Sequence, residues 1–327
     1  MNVPHSAPCL GVEEEEAVIR VLRSGQLAQG PEVAAFEQEC AEFIGRRHAV
    51  AASSGTAALH LALQALGLPQ RVHVALPSYG CASLVTAVRL HHAKPVLCDI
   101  GDDLNLDPGR VPQSSAAVIL PHLFGAPAPI PEGLVIEDIA QSMGNGTGKA
   151  SPAAITSFYA TKLITTGEGG MVLTDDVAIA ECVRDRRDYD NRDDFVTRHN
   201  YKLTDLQAAI GRAQLKRLPE FLRRRREIAD CYTTAFSGLP LGLPKVEGHA
   251  FFRYVVSTSR REELNAHLAA RGVEAKRPVY RPAHHYLGGV FPRSERAHEE
   301  CLSLPLYPAL VDDSVKHVID SVLGFFG

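Results

Sequence analysis

Between residues 48 and 174 the chain alternates short apolar runs with helical stretches, and this alternation limits its fold more than any other feature. The runs His48–Ala52, Val72–Leu76, Pro95–Asp99, Ala116–Pro121, Leu134–Glu137, Ala154–Phe158 and Met171–Thr174 are all of strand length. Thr56–Leu66 carries a helical pattern between the first two. Strands that are apolar on both faces must be covered on both faces. The expected architecture is therefore α/β, with a mostly parallel central sheet between helices.

The flanks differ. Pro4, Pro8 and Gly11 predict an extended N-terminal arm over residues 1–11. Glu13–Glu16 open a helix through about Leu22, where acidic side chains suit the positive end of the helix dipole. Pro31 starts a second helix to Ile44. A long helical stretch follows from Thr204 to about Phe236, with Pro219 expected to kink or break it. After Gly238 the pattern changes to a strand at His249–Ser257, a helix at Glu262–Ala270 and a terminal helix at Val311–Leu323. The expected organisation is a large domain over 1–237, ending in the long helical connection 204–237, and a small α+β domain over 238–327.

Composition narrows the function classes. The 327 residues are 45% hydrophobic and 22% charged, as in ordinary globular proteins. A net charge of −4 gives no reason to expect a nucleic-acid partner, and the basic run Arg223–Arg226 reads as a solvated helix face or a subunit contact. The seven cysteines are scattered with no Cys-x-x-Cys pair, which argues against a disulfide framework or a structural zinc site. No signal pattern or membrane-length apolar run is present, so the expected location is cytoplasmic with no membrane partner. His91–His92 and His284–His285 are adjacent pairs whose rings are expected to diverge; no metal site is expected from them.

The chemistry concentrates around one lysine. Ser157-Phe-Tyr-Ala-Thr-Lys162 runs out of a strand-like segment and into the glycine turn Gly167-Glu-Gly-Gly170. Upstream, Val135-Ile-Glu-Asp138 ends an apolar strand on a carboxylate. A lysine able to form an imine and a carboxylate able to keep a pyridine nitrogen protonated are the pair that pyridoxal phosphate requires. Taken singly, Lys162 reads as a surface lysine and Asp138 as a helix-capping aspartate. Ser53-Ser54-Gly55-Thr56 lies between strand and helix, where backbone N–H groups and the Thr56 hydroxyl suit a phosphate, although the same residues serve as ordinary caps. Ser157 could hold the same phosphate, and Gln141 lies three residues beyond Asp138, within reach of a ring hydroxyl.

Five ordered segments complete the picture: Ser54–Leu59, Glu137–Gly144, Ser157–Gly170, Asn200–Gly211 and Leu302–Pro308. On these the chain resembles the DegT/StrS family of fold-type-I, pyridoxal-phosphate-dependent sugar aminotransferases. The resemblance implies that Lys162 carries the cofactor as a Schiff base and shuttles the proton, and that Asp138 pairs with the pyridinium. It also implies that Gln141 meets the ring hydroxyl and that Gly55, Thr56 and Ser157 hold the phosphate. By the same resemblance Asn200 reaches the phosphate in the neighbouring subunit, so a homodimer with composite sites is expected. Pro121-His122-Leu-Phe-Gly125 fits the family pattern, with His122 in a supporting role.

One position departs from the family. Cys81 stands where members carry the aromatic that stacks on the cofactor, so either the thiol packs on the ring or Tyr79 moves in to stack. Arg277, Tyr280 and Arg281 sit in a proline-flanked loop, and Arg277 or Arg281 is the candidate for a substrate carboxylate or diphosphate. The implied reaction moves an amino group from glutamate or glutamine to a keto-sugar, with a nucleotide-linked sugar favoured over a cyclitol. A lyase or a sugar dehydratase is the rival within the fold, but dehydratase relatives replace the lysine with histidine. A non-catalytic sensor or scaffold is the rival of another class, with no need of the Thr56, Asp138, Ser157 and Lys162 set.

Overall fold

The computed structural model describes residues 1–245 and 247–327. The helices α1 (Val12–Ser24) and α2 (Pro31–Ile44) precede β1 (His48–Ala52) and α3 (Gly55–Ala65). Then come β2 (His73–Pro77), α4 (Ala82–Leu90), β3 (Lys94–Cys98), β4 (Ala117–Pro121), β5 (Val135–Asp138), β6 (Ala153–Ser157) and β7 (Gly170–Thr174). The helices α5 (Val177–Arg187) and α6 (Asp205–Phe236) follow. The last stretch holds β8 (Tyr254–Ser257), α7 (Arg261–Ala270), α8 (His284–Leu287), α9 (Pro292–Glu300), β9 (Cys301–Leu304) and α10 (Asp312–Phe326).

Strands β1 to β7 form one sheet in the order β1-β7-β6-β5-β4-β2-β3. The pairs from β3 through β6 are parallel, and β7 runs antiparallel between β6 and β1. Alternate residues enter opposite cores, as the pleat requires. Val50, Ile136, Ile155 and Val172 pack with α3, α4 and α5, whereas Ala49, Ala51, Ala154, Met171 and Leu173 pack with α2 and α6. This two-sided burial is why every strand reads as apolar.

Helices do not cover every crossover. The connections β4–β5 and β5–β6 contain no α-helix, and a buried carboxylate organises the second. Glu137 accepts hydrogen bonds from the backbone N–H groups of Gly148 (2.9 Å), Ala150 (2.9 Å) and Ser151 (3.1 Å), and from Ser151 Oγ (2.8 Å). His122 Nδ1 accepts from the Ala128 N–H (2.8 Å), so the ring proton sits on Nε2 and is donated to Glu137 (3.1 Å). Burial alone would raise this carboxyl. The bonds from His122, Gly148 and Ser151 overcome that and hold it down at about 2.

A second sheet, the antiparallel pair β8–β9, packs with α7, α10 and the last turns of α6 around Tyr232, Phe236, Tyr254 and Leu304. The N-terminal arm joins this part: Val3 bridges Val273 and is buried in the same core. Two expectations change here. Pro219 does not break α6, which runs uninterrupted through it from Asp205 to Phe236. The strand expected over His249–Ser257 is shortened to Tyr254–Ser257. Phe251 is in the left-handed region at φ 49°, its N–H donates to His249 Nδ1 (2.8 Å), and the extended run is interrupted there.

Candidate active site

The C-terminal edge of a parallel sheet is where open α/β folds present ligands, and the candidate residues gather there. Asp138 is the last residue of β5. Its Oδ1 accepts from the Ala140 N–H (2.9 Å), and its second oxygen has no partner among the described residues. Lys162 lies in the connection from β6 to the antiparallel β7. That connection is pinned by Phe158 N–H donating to Gly169 O (2.8 Å) and Thr166 N–H donating to Phe158 O (2.9 Å). The two side chains are electrostatically coupled. Burial raises the Asp138 carboxyl against the pull of the Lys162 ammonium. Burial lowers the Lys162 ammonium against the pull of Asp138, and the nearby Arg253 lowers it further.

The N-terminus of α3 abuts the end of β6. A methyl group at Gly55 would lie 2.8 Å from Ser157 Cβ, so only glycine permits this approach. Gly170, which opens β7, is likewise pressed against the Ser54 carbonyl. Ser54 Oγ caps the helix by accepting from Ala57 N–H (3.0 Å), which leaves the Gly55 and Thr56 N–H groups without a partner within the helix, next to the Ser157 hydroxyl that Gly55 adjoins. Gln141 is oriented by its own backbone bond: Oε1 accepts from the Phe124 N–H (2.8 Å), which leaves the NH₂ group to donate elsewhere.

These groups suit pyridoxal phosphate. An anion cradle at a helix N-terminus, an amide donor, a carboxylate with one oxygen unpaired and a desolvated lysine match the cofactor's phosphate, ring hydroxyl, ring nitrogen and aldehyde in kind and number.

Other expected residues lie elsewhere. Tyr79 is wholly buried, with Oη donating to Ala297 O (3.4 Å) and its ring packed edge-on to Phe124, so it is core and not the stacking aromatic. Cys81 is exposed at the start of α4, close enough to Lys162 to act on its charge. Arg277 is drawn away by Glu262 (2.7 Å) and His298 (2.9 Å). Arg281 donates to His285 O (2.9 Å) and stacks on Tyr286. Both arginines are exposed, Arg277 paired with residues of α7 and α9 and Arg281 with its own loop. Asn200 is exposed just ahead of α6. The rings of His284 and His285 do not diverge: α8 is only four residues long, and both Nε2 atoms lie 2.7 Å from Glu295 Oε2, a trio in which hydrogen bonds pair every member.

Two residues of the site went unread in the sequence. The Phe252 ring lies 5.3 Å from Lys162 Nζ, and Arg253 stacks on the same ring at 4.6 Å. Within Phe251-Phe-Arg253-Tyr they look like ordinary strand residues, and only the aromatic pair beside a basic residue could have marked them.

Comparison with known proteins agrees with this geometry. The model of the DegT/DnrJ/EryC1/StrS aminotransferase family matches residues 8–323. The spore coat polysaccharide biosynthesis protein SpsC of Bacillus subtilis is 34% identical over 98% of this chain and 96% of its own length. The dTDP-3-amino-3,4,6-trideoxy-alpha-D-glucose transaminase of Streptomyces venezuelae is 34% identical over 96% of this chain and 92% of its own. The crystal structure of S. venezuelae DesV, solved in complex with a ketimine intermediate, superposes with a TM-score of 0.90 at 33% identity, covering 96% of this chain and 94% of that one. With the family model matched over residues 8–323 and relatives 34% identical over nearly the whole chain, the chain belongs to the DegT/DnrJ/EryC1/StrS aminotransferase family and is a fold-type-I, pyridoxal-phosphate-dependent transaminase.

Proposed function

We propose that this enzyme transfers the amino group of glutamate or glutamine to the ketone of a nucleotide-linked sugar. The observation that carries the reading is the coupled pair Asp138 and Lys162, desolvated together at the sheet edge beside the Gly55–Ser157 cradle. Support for the substrate class comes from one relative named as a dTDP-amino-sugar transaminase and another named GDP-perosamine synthase.

Bound pyridoxal phosphate supplies the electron sink. The chain supplies the rest. Lys162 would hold the cofactor, and its Nζ would accept and return the proton; burial favours its neutral, proton-accepting form. Asp138 keeps the proton on the ring nitrogen. Gly55, Thr56 and Ser157 fix the phosphate, and Gln141 orients the ring through its NH₂. Cys81 packs against the ring in place of an aromatic. The reading also includes a large domain over 1–237, a small one over 238–327, a homodimer in which Asn200 completes the partner's phosphate site, and action in the cytoplasm. No described helix is long and apolar enough to cross a membrane.

The test is an assay of glutamate and glutamine against nucleotide-linked 3-keto and 4-keto sugars, with an inosose included. Amine transfer to a nucleotide sugar is the expected result. Transfer to the inosose alone would move the assignment to cyclitols, and elimination without transfer would replace it with dehydration.

A further inference from the structure

Arg253 is a cation placed beside the reactive lysine with too few partners. Its Nη1 donates to His5 Nδ1 (3.2 Å), and no carboxylate pairs with it among the described residues. His5 Nε2 donates in turn to Ser303 Oγ (2.9 Å), and burial lowers His5 to about 3, so this partner brings no charge. Burial lowers Arg253 itself to about 10, which leaves it a cation at neutral pH. A guanidinium has five N–H donors in a planar fork, and the Nε and Nη2 groups of Arg253 have neither a protein partner nor a place among the sealed, unpaired polar atoms. They face accessible space.

Phe252 bounds the distance from Arg253 to the reactive lysine, and Arg253 is close enough to act on the Lys162 charge. Lys162 Nζ lies 5.3 Å from the ring centroid and the Arg253 guanidinium carbon 4.6 Å from it, so the two cations are no more than about 10 Å apart. An amino acid whose amine reacts at Lys162 has its carboxylates within that reach.

Neighbouring cations are already committed. Lys276 is paired with Glu274 (2.9 Å), and Arg225 Nη1 donates to the carbonyls of Phe251, Phe252 and Leu306. One unpaired planar guanidinium matches one carboxylate in bidentate fashion, whereas a diphosphate would bring more charge than this fork can answer.

We propose that Arg253 is the docking residue for a carboxylate of the amino donor, held in place by His5 and the Phe252 ring. This rests on the transaminase reading above and adds the determinant of donor selectivity.

The test uses the holoenzyme and glutarate, a dicarboxylate with no amine to react. Calorimetric binding is expected to weaken at least about tenfold in Arg253→Gln and less in Arg253→Lys, the loss of a charge-assisted pair. The KM for glutamate should rise in parallel while the KM for the keto-sugar holds. On the unmutated enzyme, uncharged glutaramide should fail to displace glutarate, a result that needs no variant to fold. Undiminished glutarate binding in Arg253→Gln, effective competition by glutaramide, or a rise confined to the KM of the keto-sugar would each overturn the proposal, the last by placing a sugar phosphate there. If no keto-sugar accepts an amine from the unmutated enzyme, the functional reading fails separately, since glutarate binding still reports on Arg253.

Discussion

Gly55 at the start of α3 and Ser157 at the end of β6 are in direct contact, with room for no side chain at residue 55: a Cβ there would lie 2.8 Å from Ser157 Cβ. The contact brings a helix N-terminus and a hydroxyl together. Gly55→Ala is expected to force the two elements apart, lowering stability by about 1–3 kcal/mol and releasing cofactor. Ser157→Ala leaves the packing intact and removes one donor, so its cofactor affinity should fall about tenfold with an unchanged melting temperature. Thermal unfolding together with cofactor titration separates the two effects.

Lys162 and Asp138 should fail in different ways. Lys162→Ala removes both the bond to the cofactor and the proton carrier, and turnover should be lost together with the visible absorbance that borohydride abolishes in the unmutated enzyme. Asp138→Asn keeps the lysine but removes the charge that holds the ring proton, so kcat should fall by about 10²–10³ with the absorbance retained in altered form. Near-normal turnover in the alanine variant would refute the assignment of Lys162.

Much of this arrangement was legible because local chemistry and global fold agree. Val50, Ile136 and Ile155 face one core while Ala49 and Ala154 face the other, so the strands announced themselves as apolar throughout. Lys162 and Asp138 were legible as a pair, from the ordered set they form with Thr56 and Ser157, and neither was legible singly. Glu137 was not. Its partners lie in the 139–152 connection and at His122, and nothing periodic marks them. Phe252 and Arg253 were hidden for a related reason: the left-handed residue at Phe251 breaks the strand they seemed to belong to, and carbonyls there are held by Arg225, far away on α6. The trio at Glu295 depends on a single helical turn that no pattern predicts.

Glu137 makes stability depend on pH in a defined window. Its folded value of about 2 lies below the ordinary 4.5, so its contribution is complete above about 4.5 and is lost as pH falls toward 2. The carboxyl is almost fully buried, and the shift corresponds to about 3 kcal/mol. Glu137→Gln should therefore be less stable at neutral pH and show a flatter acid-side dependence. Denaturant unfolding of both proteins from pH 7 down to the acid limit measures the difference, and parallel curves would remove Glu137 as the cause.

Cys81 offers a direct view of how the cofactor ring is packed. Cys81 and Cys231 are both exposed, the first beside Lys162 and the second on α6, well separated in sequence from the site. If the thiol lies against the ring, bound cofactor must shield it from alkylation. Iodoacetamide labelling followed by mass spectrometry should then show Cys81 modified several-fold more slowly in the loaded enzyme than in the unloaded one, with Cys231 unaffected. Equal rates at Cys81 in both forms would mean that the ring is packed by another residue, and Phe252, already within reach of Lys162, would be the first to examine.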